Sequence, residues 1–317
     1  LRLRERLRLA PDGLPRPQAP FGRGPAAARV LGTVITGASA VGGALPGALL
    51  HRAARVGGTL EWAARPRKRR VLAENLAHAV GLPPDDRAVR SLVRREVVNE
   101  ARRSVDVLWA LSRPEELRAT TEIVGTHHIA DALAHGSGVI LSSLHLGGWE
   151  VATAIPALVV PVPTTALVED DWLAWAIDGH RAAAGLGRLY TSAPALEAAA
   201  VLRRGHALLV LGETGAAATR THRIRFLDAE ADLPAGTVAL SRLCGSPIVP
   251  FAVLPLGPRR WRVTIEPPLP APARWEGAAG ERRQLQELAD RWSAMLRSHP
   301  EHWAAVYPIG WVRTASS

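Results

Sequence analysis

The sequence predicts an α/β protein, a central, mostly parallel or mixed sheet flanked by helices, preceded by an N-terminal helical, membrane-associating segment. Three observations lead there. After Gly125, short apolar runs alternate with stretches of helical periodicity, the pattern of strands packed between helices. One of those runs, 138–144, passes straight into a turn that carries a histidine and a glycine pair. And 317 residues at 47% hydrophobic content are enough to bury a sizeable core.

Taken in order, residues 1–28 are rich in arginine and proline and predict a flexible basic arm, with no compact apolar core of the secretory kind. Residues 29–120 predict a helical, membrane-associating region. Its first part, 29–50, is apolar at Val30, Leu31, Val34, Ile35, Val41, Leu45, Leu49 and Leu50 but diluted by five glycines and a proline. It is long enough to cross a bilayer yet barely apolar enough, which favours an interfacial or re-entrant anchor, or a helix packed on the protein, over a span. Arg65, Arg67, Lys68, Arg69 and Arg70 follow, and positive charge beside an apolar segment favours the cytoplasmic leaflet; an ordinary solvated helix start is the plainer reading. From Arg87 to Leu111, Val89, Leu92, Val93, Val97, Val105, Leu108 and Leu111 recur at helical spacing and predict a helix covering one side of the sheet. Residues 121–317 predict the α/β core, continuous with the helical region as one domain. Strands are expected at 138–144, 164–168, 207–211, 247–254 and 261–266, and helices at 149–158, 172–184, 194–204, 235–243 and 281–297.

Net charge is +10, carried almost wholly by arginine, with Lys68 as the sole lysine. Arginine suits phosphate contacts through its planar fork, although a GC-rich coding sequence produces the same skew. Nucleic acid is disfavoured, because the tryptophans are scattered and no base-stacking motif accompanies the charge. Anionic lipid headgroups, coenzyme A and acyl carrier protein attract the same charge. The single Cys244 excludes internal disulfides and a multi-cysteine zinc site, and its place at an apolar helix end reads as packing rather than as a reactive thiolate. Neither His127, His128 and Glu122 nor His299 and His302 supplies a full ligand set, so no metal is expected.

The chemistry concentrates in Ser142-Ser143-Leu144-His145-Leu146-Gly147-Gly148-Trp149-Glu150. On one continuous helix, a five-residue offset turns the second side chain by about 500°, away from the first. A strand end for His145 and a first helical turn for Glu150 is the arrangement that lets a carboxylate orient an imidazole and support its protonated form. Gly147 and Gly148 let backbone amides approach a substrate closely and stabilise an oxyanion or hold a phosphate. Ser143 and its neighbour Ser142 read as packing or hydrogen-bonding residues rather than nucleophiles, since no Gly-x-Ser-x-Gly elbow is present.

The pattern His145-x4-Glu150 resembles the hallmark of the bacterial lipid acyltransferase family that includes the late acyltransferases of lipid A, of lauroyl and myristoyl type, and the actinobacterial phosphatidylinositol mannoside acyltransferases. Three more stretches fall in that family's order. Arg69-Arg70-Val71-Leu72-Ala73-Glu74-Asn75-Leu76 resembles its arginine and Asn-Leu signature. Gly212-Glu213, Phe226 and Pro234-Ala235-Gly236 resemble its acidic turn, aromatic strand and Pro-x-Gly helix start, and His299-Pro300-Glu301-His302-Trp303 with Gly310-Trp311 resembles its closing element. The acidic turn keeps one carboxylate where relatives often have two, and a Phe-Phe-Gly element is reduced to Phe226-Leu227-Asp228.

The resemblance implies an acyltransferase that moves a fatty acyl group from acyl-CoA or acyl carrier protein to a hydroxyl of a glycolipid or related amphiphile, foremost a phosphatidylinositol mannoside. A lipid A precursor, a natural-product acceptor, or a non-catalytic lipid-binding role on the same scaffold are the alternatives. No cofactor beyond the acyl co-substrate is implied, and the expected place is the cytoplasmic face of the plasma membrane. His145 is the expected general base and Glu150 its orienting carboxylate. Glu213 is expected to bind acceptor or act as a second acid/base group, and Arg220, Arg223 and Arg225 to meet phosphate, with Ser143, Gly147 and Gly148 lining the substrate.

Overall fold

The computed structural model describes residues 33–35, 37–38, 42–110, 113–148, 151, 159–169, 181, 185–192, 195–214 and 220–312. Three long helices lead: α1 (Gly47–Ala64), α2 (Pro66–Val80) and α3 (Arg87–Ala110). Then come α4 (Pro114–Thr120), β1 (Thr121–Val124), α5 (His127–Leu133), β2 (Val139–Ser143), β3 (Thr164–Val168) and β4 (Gly187–Tyr190). The second half adds α6 (Ala195–Arg203), β5 (Ala207–Leu211), β6 (Thr221–Phe226), β7 (Ala229–Pro234), α7 (Gly236–Cys244), β8 (Ile248–Gly257), β9 (Arg260–Ile265) and α8 (Gly277–Ser298). A 3-10 turn at Pro300–His302 opens the C-terminal segment.

Seven strands form one sheet in the order β1-β9-β8-β2-β5-β3-β4, with β6 and β7 pairing separately as a hairpin. Every pairing in the large sheet is parallel except β8 with β9. Successive side chains of a strand point to opposite faces, and the two faces fill two cores. Ile140, Leu208, Val210 and Ile248 join Leu72, Leu76, Leu288 and Trp292 on one side. Val139, Leu141, Leu209 and Val249 join Ile129, Leu117 and Trp261 on the other. Central strands buried on both faces read as unbroken apolar runs, which is why 138–144 and 207–211 were recognisable.

The five expected strands and the helices expected at 194–204, 235–243 and 281–297 are all present. Four strands were not anticipated. β6 alternates exposed and buried positions with arginines on the outer face, β1 alternates half-buried and exposed positions, and β4 is four residues long. The helix expected over 87–111 is α3, but it does not cover one side alone. Val89, Leu92 and Val97 belong to the first core and Val107, Trp109 and Ala110 to the second. Nor is 29–50 one continuous element, because the helical residues before Leu45 are separated from α1 at Pro46. No helix among the described residues is long and apolar enough to cross a membrane. The arm at 1–28 lies outside the described residues, as do nearly all of the helices expected at 149–158 and 172–184.

Candidate active site

Strands β2 and β5 run parallel side by side, with Ser143 opposite Leu211, and Gly212 donates its N–H to the Ser143 carbonyl at 3.0 Å. Two residues beyond each of those paired positions stand His145 and Glu213. Register therefore brings together two side chains 68 residues apart, at the carboxyl ends of parallel strands where α/β sheets collect their sites. Glu213 Oε1 accepts from the ring Nδ1 of His145 at 2.9 Å and from its main-chain N–H at 2.6 Å. Both residues are buried.

Burial alone would raise the Glu213 carboxyl. The charge of the adjacent imidazole and the hydrogen bonds from its ring and main chain outweigh that, and the group is held below the ordinary carboxylate value. With Nδ1–H donating to a fixed carboxylate, Nε2 becomes the basic nitrogen of the ring. The carboxylate that meets the imidazole among the described residues is thus Glu213, which the sequence had suggested for acceptor binding or a second acid/base role; Glu150 lies outside the described residues.

The other strap on the histidine comes from the C-terminal segment. Ala304 donates its N–H to the His145 carbonyl at 2.7 Å, and Gly147 donates to the carbonyl of His302 at 2.8 Å. Leu146 and Trp303 form an antiparallel bridge between these bonds. The Tyr307 ring lies 5.5 Å from the imidazole, centre to centre. Tyr307 carried no sequence signal.

The glycine pair serves packing rather than the expected oxyanion role. Gly147 sits at φ 61°, and a Cβ there would lie 2.0 Å from the Val253 carbonyl oxygen. A Cβ on Gly148 would lie 2.5 Å from the Trp261 ring. Their amides are engaged as well, Gly147 with His302 and Gly148 with Val253 at 2.7 Å. Ser143 is fully buried in β2, its hydroxyl 3.4 Å from the Leu144 carbonyl.

The three arginines also have protein partners. Arg220, His222 and Arg242 all reach Glu281, a buried carboxylate on α8; Arg242 does so at 2.8 Å and His222 at 3.1 Å. Arg223 and Arg225 fall on the exposed positions of β6, paired with Asp232 and Asp290. The strand's alternation sends His222, Ile224 and Phe226 inward and those two arginines outward. Cys244 ends α7 with its thiol pushed up by burial. Among the described residues no group of three or more His, Cys, Asp or Glu is placed to hold a metal ion.

A family model described as bacterial lipid A biosynthesis acyltransferase matches residues 30–308. Among solved structures, the crystal structure of the 1-acyl-sn-glycerophosphate (LPA) acyltransferase PlsC from Thermotoga maritima aligns at 14% identity with a TM-score of 0.35, over 68% of this chain and 84% of that one. No curated protein matches by sequence.

Proposed function

The chain belongs to the bacterial lipid A biosynthesis acyltransferase family, and from that premise we propose that it transfers a fatty acyl group from acyl-CoA or acyl carrier protein to a hydroxyl of a phosphatidylinositol mannoside, with His145 as general base. The observation that carries this reading is the single Glu213 oxygen bonded to both the ring and the main chain of His145. His145 Nε2 takes the proton of the acceptor hydroxyl as its oxygen attacks the thioester carbonyl. The tetrahedral intermediate collapses with cleavage of the carbon–sulfur bond, and the imidazolium returns the proton to the departing thiolate. Glu213 holds the tautomer and balances the positive ring, as a buried carboxylate does in hydrolytic triads. Glu150 is assigned electrostatic support of the same ring.

The arginine- and alanine-rich composition, which resembles that of high-GC actinobacteria, favours the mannoside acceptor. A lipid A precursor is the second reading, favoured by the description of the matching family. We place the enzyme on the cytoplasmic face of the plasma membrane, where the donor is soluble and the acceptor is not. Incubating purified protein with labelled palmitoyl-CoA and either acceptor, then identifying the product by mass, tests the assignment. Transfer to neither acceptor, or undiminished transfer by His145→Ala, refutes it, since loss of a general base costs about 10²–10⁴-fold.

A further inference from the structure

Asn75, buried on α2, spends its side chain on the C-terminal segment. Its Nδ2 donates to the carbonyls of Ala305 at 2.8 Å and Tyr307 at 2.9 Å, and its Oδ1 accepts from the Trp311 indole N–H at 2.8 Å. Those three bonds close separations of 230 to 236 residues. The segment so held is the one that grips the histidine. Ala304, next to Ala305, donates to the His145 carbonyl; His302 accepts from Gly147, and Trp303 bridges to Leu146 between them. The far end of the segment has its own tie, where Asn99 on α3 donates to the Glu301 carbonyl at 2.9 Å.

We infer that Asn75 is a positioning residue for His145, acting through the 302–307 segment to fix the main chain of the histidine opposite Glu213. Glu213 holds the His145 N–H and ring; Ala304 holds its carbonyl. A residue whose main chain is held on both sides leaves its imidazole little freedom besides χ rotation, and the carboxylate bond at Nδ1 removes that. If Asn75 is lost, the Ala305 and Tyr307 carbonyls lose their shared donor and the segment is released on the side where Ala304 meets the histidine. Asparagine suits the position because two carbonyls need donors and one indole needs an acceptor, and its amide offers both at one site. Aspartate, of the same shape, would set an acceptor against two carbonyl oxygens. The proposal rests on the reading of His145 as general base, and adds that its placement depends on a helix from the other end of the chain.

The test compares Asn75→Ala and Asn75→Ser with His145→Ala and with Ser241→Ala, whose hydroxyl bonds the Ser246 carbonyl near the start of β8. Turnover of palmitoyl-CoA and amide exchange are followed in each full-length protein. Expected for both Asn75 variants is a kcat lower by about 10- to 100-fold, the size of a small misplacement of a reacting group. KM for palmitoyl-CoA should stay within about threefold, and exchange at Ala304 and Gly147 should quicken. Ser241→Ala should leave kcat unchanged. Adding the Asn75 substitution to His145→Ala should lower residual turnover less than it lowers that of the intact enzyme. A folded Asn75→Ser with unchanged kcat overturns the inference, as does lost turnover with unaltered protection of Ala304 and Gly147. Full activity in His145→Ala would instead remove the general-base reading.

Discussion

One oxygen of Glu213 lies 2.6 Å from the main-chain nitrogen of His145 and 2.9 Å from its ring Nδ1. A carboxylate shared between a residue's backbone and its side chain fixes position and tautomer together. Glu213→Gln keeps the shape and removes the charge. It should lower kcat by about 10²–10⁴-fold, as in other histidine–carboxylate pairs, with a smaller change in KM. Steady-state kinetics of Glu213→Gln beside Glu150→Gln separates the two carboxylates, and a Glu213→Gln enzyme as active as wild type would strip Glu213 of its orienting part.

The turn after His145 is held by ring and carbonyl contacts that leave no room for a methyl group. Gly148→Ala would drive a Cβ to 2.5 Å from the Trp261 ring, at an atom of its six-membered part. Overpacking of this kind costs about 1–3 kcal/mol. Trp261→Phe withdraws the colliding atoms, so the double variant should be less destabilised than the sum of the two single changes. Urea denaturation of the four proteins measures the coupling, and simple additivity would show that the contact yields without cost.

Most of the scaffold of this site was readable from residue patterns, and the site itself only by half. Apolar runs at 138–144 and 207–211 disclosed β2 and β5, and placed His145 and Glu213 each just past a strand. What no pattern along the chain records is that β2 and β5 are neighbours in parallel with Ser143 opposite Leu211. Strand order follows from how helices pack on the sheet, not from any local stretch, and so the carboxylate near in sequence, Glu150, looked the natural partner. Arg223 and Arg225 misled for a related reason. A two-residue alternation of charge beside apolar residues marks the outer face of a strand, and β6 was not recognised as one.

Glu281 has no exposed side-chain surface and is met by two guanidinium cations, from Arg220 and Arg242, and by the ring of His222. Burial would raise its carboxyl, but hydrogen bonds from Arg242 and His222 together with the neighbouring positive charges hold it below the ordinary value. Glu281→Gln leaves those cations facing a neutral amide and should destabilise the fold by about 3–5 kcal/mol, the cost of breaking a buried pair from one side. Arg223→Ala, on the exposed ion pair with Asp232, should change stability by less than about 1 kcal/mol. Thermal melts read both. A strong rise in KM with unaltered melting for Arg220→Ala would instead return that arginine to the substrate.

His302, whose carbonyl receives the Gly147 amide, gives the site a dependence on acid. Burial and then the nearby Arg103 charge push its imidazole from 6.5 down to about 4, with His299 and Arg102 adding to the fall and Glu301 opposing it. Between those values the unfolded chain binds a proton that the folded one refuses. Stability from this group is therefore complete above about pH 6.5 and is lost as pH falls toward 4, by roughly 3 kcal/mol in all. His302→Gln should flatten the slope of unfolding free energy over that interval. Parallel slopes for the two proteins would place the acid sensitivity elsewhere.

The exposed side of α1 sets the last expectation. Its inner side is tied down: Gly58 packs so closely on α3 that a Cβ would lie 2.9 Å from the Val98 Cα, and His51 bonds Asp106 at 2.9 Å. What remains outward is Leu49, Val56 and Leu60, more than half exposed and within about 40° of one another around the helix axis. Arg52 and Arg55 lie exposed beside them and Arg65, Arg67 and Arg70 just beyond. An apolar stripe edged with arginine suits the surface of an anionic bilayer, where each arginine adds about 1 kcal/mol and each apolar side chain a comparable amount. Replacing Leu49, Val56 and Leu60 together with serine should therefore weaken sedimentation with phosphatidylglycerol-containing vesicles by more than about tenfold. Turnover of dispersed palmitoyl-CoA should survive, because none of the three approaches His145. Undiminished vesicle binding would show that the protein meets the membrane through another surface.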